Sequence, residues 1–305
     1  MILTLDTCTS ASRAHGTDDA PAAAALRLSG VGHVVLRERT EALIGGDRRL
    51  AHEILDAYGR ADEFEDFLGR SGNSFITLSE RLLEAVGLEP APVDAVLLAY
   101  QTPDLYHSDV AGCYLSERLP GAPVPFSVAE QGPGAVFTAL RAVQGMGRLG
   151  ELTRAAVFAY DQNAAVWEAD DAVQALPDSA VLFWIDAVRA DGDGPRSGPD
   201  RGALVRGPAE LRTDEPAVEL ERLLERHPEA EVVVGRSLWA ELDPATRERH
   251  GIEPPPEHLL TAAWITLARR WPTPGPVLVA DYHAYDRRLY SCLFEPDDVA
   301  GGGSA

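Results

Sequence analysis

Two kinds of apolar spacing alternate along most of this chain. In FITLSERLLEAV, Leu78, Leu82, Leu83 and Val86 recur at helical intervals, and Ser74 or Thr77 offers an N-cap. Gly87, Pro90 and Pro92 break the pattern, and AVLLAY follows as a short buried strand. DVAGCYLSERL then predicts a helix and APVPFSV a strand. AVFTALRAVQGMG predicts a long helix, and RAAVFAY and SAVLFWIDAV predict two more strands. ADGDGPRSGPDRG is nearly all turn formers and reads as a surface loop. Beyond it, EPAVELERLLERHPEAEVVVG predicts helix, turn, strand. HLLTAAWITLARRWPTPGPVLVADY predicts helix, Pro-Gly turn, strand, and RRLYSCLF a last strand. Before residue 74 the pattern is weaker: GHVVLRE suggests a strand and LAHEILDAYGRADEFEDFLG one or two acidic helices.

The two halves repeat each other faintly. SERLLEAVGLEPAPVDAVLLAY resembles LERLLERHPEAEVVVG, and TALRAVQGMGRLGELTRAAVFAY resembles WITLARRWPTPGPVLVADY. Alternating helices and strands, duplicated, imply mostly parallel sheets with helices packed on them. The expected division is 1–175 for one half, 176–298 for the other, and 299–305 for a flexible Gly-Ser tail.

One turn stands out. Between strand VPFSV and the long helix lies AEQGPGA, where Gln131, Gly132, Pro133 and Gly134 make a sharp strand-to-helix connection. Such elbows display a nucleophile or a nest of backbone N–H groups, yet this one carries no Cys, Ser or Thr. The N–H groups of Gly134 and Ala135 would face an oxyanion there. Alternatively, the turn is only a tight connection with Pro near the first helical position.

Composition narrows the chemistry. The 305 residues carry a formal net charge of −21, and every one of the 27 basic residues is Arg. Nucleic acids and anionic membranes are bound through basic patches, so neither is expected as a partner. The lack of lysine excludes a Schiff-base or P-loop lysine. No apolar run approaches the length of a membrane span, and the N-terminus lacks the features of a signal peptide. The cytoplasm is therefore the expected location. Cys8, Cys113 and Cys292 are odd in number and widely spaced, which suggests neither a disulfide framework nor a zinc site. The histidines show no paired spacing, so no metal is expected. Asp161 and Gln162 fall where a predicted strand ends, after RAAVFAY, and His283 lies in the loop DYHAYD after the strand VLVA. Should the fold bring this loop to face the elbow, His283 would be a candidate base, with Asp281 or Asp286 orienting it. His258 stands before a predicted helix, and the five tryptophans read as packing residues.

In its order of elements, the chain resembles the thiolase superfamily, and more closely β-ketoacyl-acyl-carrier-protein synthase III. The stretch VDAVLLAYQTPD at 93–104 is similar to that family's strand followed by Thr-Pro-Asp, and GPGAVFTAL to its Cys-x-Gly helix opening. ITLARRWPTPGPVLVADYHAYDRRLYSCLF is similar to the family's C-terminal helix, Pro-Gly turn and strand pair. The likeness is good over about 74–187, fair over about 215–295 and poor before. It implies a duplicated αβαβα five-layer fold, a dimer, and acyl transfer from a coenzyme A or phosphopantetheine thioester without a resident cofactor. The family's Cys–His–Asn triad would fall on Gly132, on or beside Arg236, and on Leu259 with His258 adjacent. Gln131, Gly132, Gly134, Asp161, Arg236 and His258 would then line the substrate site, with His283 and Asp281 as catalytic candidates. Three functions follow as expectations. One is a non-catalytic subunit of a biosynthetic pathway, paired with an active ketosynthase homologue. The second is an acyltransferase without acyl-enzyme, moving the acyl group to an alcohol or amine, alone or as a homodimer. The third is a binder of an acyl-like metabolite. An acyl-carrier protein would need a local basic patch, for which Arg269, Arg270, Arg287 and Arg288 are the visible pairs.

Overall fold

The computed structural model describes residues 25–42, 45–86, 91–106, 110–163, 175–188 and 202–297. Strand β1 (Ala25–Leu36) opens it, followed by β2 (Glu41–Ala42), α1 (Gly45–Ala57), α2 (Phe64–Leu68) and β3 (Ser71–Gly72). Then come α3 (Phe75–Val86), β4 (Ala95–Tyr100), α4 (Ala111–Arg118), β5 (Val124–Val128), α5 (Gly134–Leu149), β6 (Arg154–Asp161) and β7 (Asp178–Val188). The remainder is β8 (Ala203–Arg212), α6 (Pro216–Arg226), β9 (Glu231–Val234), α7 (Arg236–Glu241), α8 (Pro244–Arg249), α9 (Ala262–Arg270), β10 (Val277–His283) and β11 (Arg288–Pro296).

Nine strands form one mixed sheet in the order β5-β4-β6-β7-β1-β8-β11-β10-β9. Outward from the β1–β8 junction, one side runs β1, β7, β6, β4 and the other β8, β11, β10, β9. The two series match in chain order and direction: β4 and β6 are parallel, as are β9 and β10, while β7 and β11 run antiparallel to their neighbours. Helix α3 with β4 therefore corresponds to α6 with β9, and α5 with β6 to α9 with β10. These are the segments whose sequences resemble each other. Strand β5 has no counterpart among the described residues; α7 and α8 follow β9 instead.

The sheet order revises the division of the chain. Strand β7 pairs with β6 and β1, so the first repeat runs through Val188 and a boundary at 175/176 falls one strand early. Strand β8 carries GPAE and breaks apolar alternation, which is why its sequence predicted no strand. All but the last residue of the expected loop at 190–202, the tail and Cys8 lie outside the described residues.

Alternation along the strands explains the layers. Ala155, Val157 and Ala159 of β6 face one core, and Ala156, Phe158 and Tyr160 face another. Val277 and Val279 of β10 share the first core, whereas Leu278, Ala280 and Tyr282 turn to a third. The shared core holds α5 and α9 between the two repeats; α3 and α4 cover the outer face of one repeat, α6 and α7 that of the other. The result is the duplicated αβαβα arrangement. Helix α5 suits the middle layer because small residues, Gly134, Ala135, Ala139 and Gly147, are buried alongside Val136, Phe137 and Leu140. Trp264 of α9 binds the layers together, with ring centroids 4.9 Å from Phe137, 5.3 Å from Phe183 and 6.3 Å from Phe294. No described helix is long and apolar enough to cross a membrane.

Candidate functional site

Side chains that face the central layer at the C-terminal strand ends converge on the elbow before α5. Glu130 (φ 59°) and Gly132 (φ 50°) both adopt left-handed backbone, which turns the chain out of β5 and, through Pro133, into the helix. The Gly134 N–H donates to the Gln131 carbonyl (3.0 Å) and the Ala135 N–H to the Gly132 carbonyl (3.3 Å). The two donors expected to face an oxyanion are thus spent inside the turn. Gln131 Oε1 accepts from Thr138 Oγ1 at 2.6 Å, which ties the turn to the first helical turn.

The space above the elbow is filled from the second repeat. His283, the last residue of β10, packs so closely that a methyl group on Gly132 would lie 2.5 Å from its Cδ2 and 2.8 Å from its Nε2. Its ring therefore occupies the volume that any side chain at position 132 would need. Asp286 Oδ2 is 3.0 Å from His283 Nδ1, out of line for a hydrogen bond. The phenol of Tyr290 on β11 closes over Gly134 in the same way, and its ring stacks with Phe137 at 5.6 Å.

Two buried carboxylates cap helices, Asp161 across the centre and Asp281 within its own repeat. Asp161, the last residue of β6, accepts from the N–H groups of Leu260 (2.9 Å) and Thr261 (2.8 Å) and from Thr261 Oγ1 (2.8 Å), at the start of α9. Asp281 Oδ1 accepts from the N–H groups of Leu238 (3.1 Å) and Tyr282 (2.8 Å), and its carboxylate lies against Gly235 at the start of α7. Burial pushes the Asp281 carboxyl up to about 7; the two N–H donors oppose this, and the charge of Asp161 adds to it. Asp281 is thereby committed to α7 and its own backbone. The residue that the geometry pairs with His283 is Asp286.

A polar chain extends from Asp161. Thr261 Oγ1 lies 2.8 Å from Ser179 Oγ, which lies 3.0 Å from His258 Nδ1. His258 is 4% exposed. Burial lowers its pKa most; Arg269 and Arg37 act in the same direction, against Asp161 and Glu257. Sequence reading missed Ser179, Thr261 and Tyr290. The first two are polar residues at the rim of apolar runs; Tyr290 gave no signal.

Arg236 does not join the site. It is exposed at the first position of α7, because Gly235 is held inward against Asp281 and the next side chain turns outward. Among the described cysteines, Cys292 is buried, with its thiol pushed up by burial, and Cys113 is exposed on α4. The candidate basic patch is largely paired: Arg270 with Glu231 (2.6 Å) and Glu253 (2.7 Å), Arg287 with Asp214 (2.9 Å), and Arg288 with Glu210. Among the described residues, no three His, Cys, Asp or Glu side chains gather to hold a metal.

The fold is of the thiolase-like kind, as solved structures bear out. OleA of Xanthomonas campestris, in a cerulenin-bound structure, is 11% identical over 90% of this chain and 99% of that one, with a TM-score of 0.56. A second OleA structure, obtained with lauric acid and lauroyl-CoA, is 11% identical over 89% of this chain and 99% of that one, with a TM-score of 0.53. 3-Oxoacyl-(acyl carrier protein) synthase III of Pseudomonas aeruginosa PAO1 is 18% identical over 89% of this chain and 98% of that one, with a TM-score of 0.55. No family model matches the sequence, and no curated protein does.

Proposed function

We propose that this chain is a synthase-III-like protein of a bacterial biosynthetic pathway that has given up cysteine-based condensation and works as a non-catalytic subunit. The observation that carries this reading is the elbow. Where the family's thiolate would stand there is Gly132, the volume is taken by the His283 imidazole, and the first helical N–H groups are bonded within the turn. The partner would be a thiolase-like homologue with an intact Cys–His–Asn triad, joined through the free edge of β5. That strand ends the sheet and exposes Val124 (55%) and Phe126 (45%). An exposed apolar edge of this kind is a liability in a lone monomer and fits a paired one. Co-expression with such a homologue tests the reading: a heterodimer is expected, lost in Phe126→Glu. A stable monomer that ignores intact homologues refutes it.

The His283–Asp286 contact beside the elbow favours a second reading, direct acyl transfer from a coenzyme A or carrier-protein thioester to an alcohol or amine. Here His283 would act as the base, with no acyl-enzyme. Turnover by the isolated chain that His283→Ala abolishes would select this reading over the first.

A further inference from the structure

Direct acyl transfer needs a hydrogen-bond donor where the carbonyl oxygen takes up negative charge. The backbone does not supply one at the elbow, since the Gly134 and Ala135 N–H groups are bonded within the turn. A side chain stands there instead. Tyr290 reaches in from β11 so closely that a methyl group on Gly134 would lie 2.6 Å from its Oη. The phenol oxygen is therefore at the N-terminal end of α5, where the His283 imidazole meets Gly132. Tyr290 pairs with Asp281 and Arg288 with His283, so His283 and Tyr290 are diagonal cross-strand neighbours on one face, at a spacing of about 7–8 Å.

The hydroxyl is unused by the fold. Tyr290 is 3% exposed, and no described residue hydrogen-bonds to its Oη. Glu210, its cross-strand partner on β8, has its carboxylate taken by Arg141 (2.8 Å) and by Arg288. A buried hydroxyl without a partner costs stability that a phenylalanine would not, and the stacking on Phe137 needs no oxygen. Burial raises the phenol pKa most; Arg288 opposes the shift, Asp286 adds to it and Arg141 opposes it. Tyr290 thus keeps its proton at neutral pH and is a donor.

We propose that Tyr290 is the oxyanion donor of a direct acyl transfer at this elbow. The proposal rests on the reading in which His283 is the base. The acceptor alcohol or amine gives its proton to His283 Nε2, the nitrogen on the Gly132 side, as its oxygen or nitrogen attacks the thioester carbon. The carbonyl oxygen takes the charge and accepts the Tyr290 O–H, next to the positive end of α5. Collapse breaks the C–S bond, and the leaving sulfur takes the proton from the His283 imidazolium. Tyr290 keeps its own proton throughout.

Thiol release from octanoyl-CoA, with ethanolamine as the acceptor and the uncatalysed rate subtracted, tests this on the full chain. Tyr290→Phe removes only the unbonded oxygen. It is expected to lower kcat about 100-fold with KM within about twofold, and to leave the thermal midpoint at or above that of the parent. His283→Ala is expected to abolish release. Release that depends on His283 but is unchanged in Tyr290→Phe would overturn the donor role and leave His283 as the base. A lowered thermal midpoint in Tyr290→Phe would show that the fold itself bonds the hydroxyl, and would overturn the proposal too. No release by the parent chain would overturn the direct-transfer reading and this proposal with it.

Discussion

Asp281→Asn separates the ionisation of this carboxyl from its hydrogen bonds. Both N–H donors, from Leu238 and Tyr282, go to Oδ1, which an asparagine oxygen can replace. The carboxyl is pushed up to about 7 in the folded chain by burial, with the charge of Asp161 contributing, against an ordinary value of 3.8. Between those two values the unfolded chain has released a proton that the folded chain still holds. Stability therefore falls as pH rises through that window, by about 1.4 kcal/mol per pH unit, and the full effect is on the order of 4 kcal/mol. Below 3.8 and above about 7 the group contributes no slope. The variant has no such slope. Urea unfolding of parent and variant from pH 5.5 to pH 8 avoids the neighbourhood of the isoelectric point, near 4.7. The unfolding free energy of the variant minus that of the parent should grow by about 2 kcal/mol between pH 5.5 and 7 and then level off. Any fixed cost of the new amide cancels in that growth. Parallel pH curves for the two proteins would mean that Asp281 is ionised throughout, and the account of its burial would fail.

Gly132→Cys should not restore condensing activity, because the new side chain meets the His283 ring and sits at φ 50°; displacement of the ring and backbone strain should cost about 1–3 kcal/mol, read by chemical denaturation. Measurable decarboxylative condensation by that variant would refute the reading of the elbow. Iodoacetamide should leave the protein's activity or pairing intact, since neither described cysteine lies at the elbow; acylation of a cysteine by an acyl-CoA, seen by intact mass, would contradict this. Asp161→Ala leaves the Leu260 and Thr261 N–H groups without their acceptor and should cost about 3 kcal/mol of stability. Phe126→Glu should leave the thermal midpoint of the chain without its partner unchanged while abolishing association through β5, as read by light scattering.

Legibility in the sequence followed local patterning. AVLLAY and RAAVFAY are buried on both faces and read as continuous apolar runs, so β4 and β6 were plain. Of the two caps that the sequence offered, Ser74 is the one used: its Oγ accepts the Thr77 N–H at 3.2 Å. Strand β8 was hidden because Arg206, Gly207 and Glu210 interrupt its apolar positions. The exposure of Arg236 was hidden for a different reason. Position after a strand places a residue at the site end of the sheet, but the direction of its side chain depends on what Asp281 does to Gly235, forty-odd residues away in sequence. The convergence of His283 on Gly132 followed from the duplication, which relates strand ends that no local pattern connects.

That duplication also explains why only one of the two central helices retains anything like a site. Asp161 and His283 are the final residues of the equivalent strands β6 and β10, and each reaches across the centre to the helix of the other repeat. At α9 the strand end delivers a carboxylate, which accepts the orphan N–H groups and complements the helix dipole. That end is saturated, buried and structural. At α5 the strand end delivers an imidazole, which offers no full negative charge, and the turn has satisfied its own first donors. The electrostatic complement to this end is therefore weaker, and the imidazole holds its place by contact with Gly132 and proximity to Asp286. Exchanging the two end residues tests whether this asymmetry matters. His283→Asp should stabilise the α5 end by about 0.5–1 kcal/mol at low ionic strength if that end is electrostatically undersatisfied. The gain should shrink in high salt. A loss of stability instead would show that packing against Gly132, together with the avoidance of a second carboxylate beside Asp286, outweighs what the helix end gains from charge.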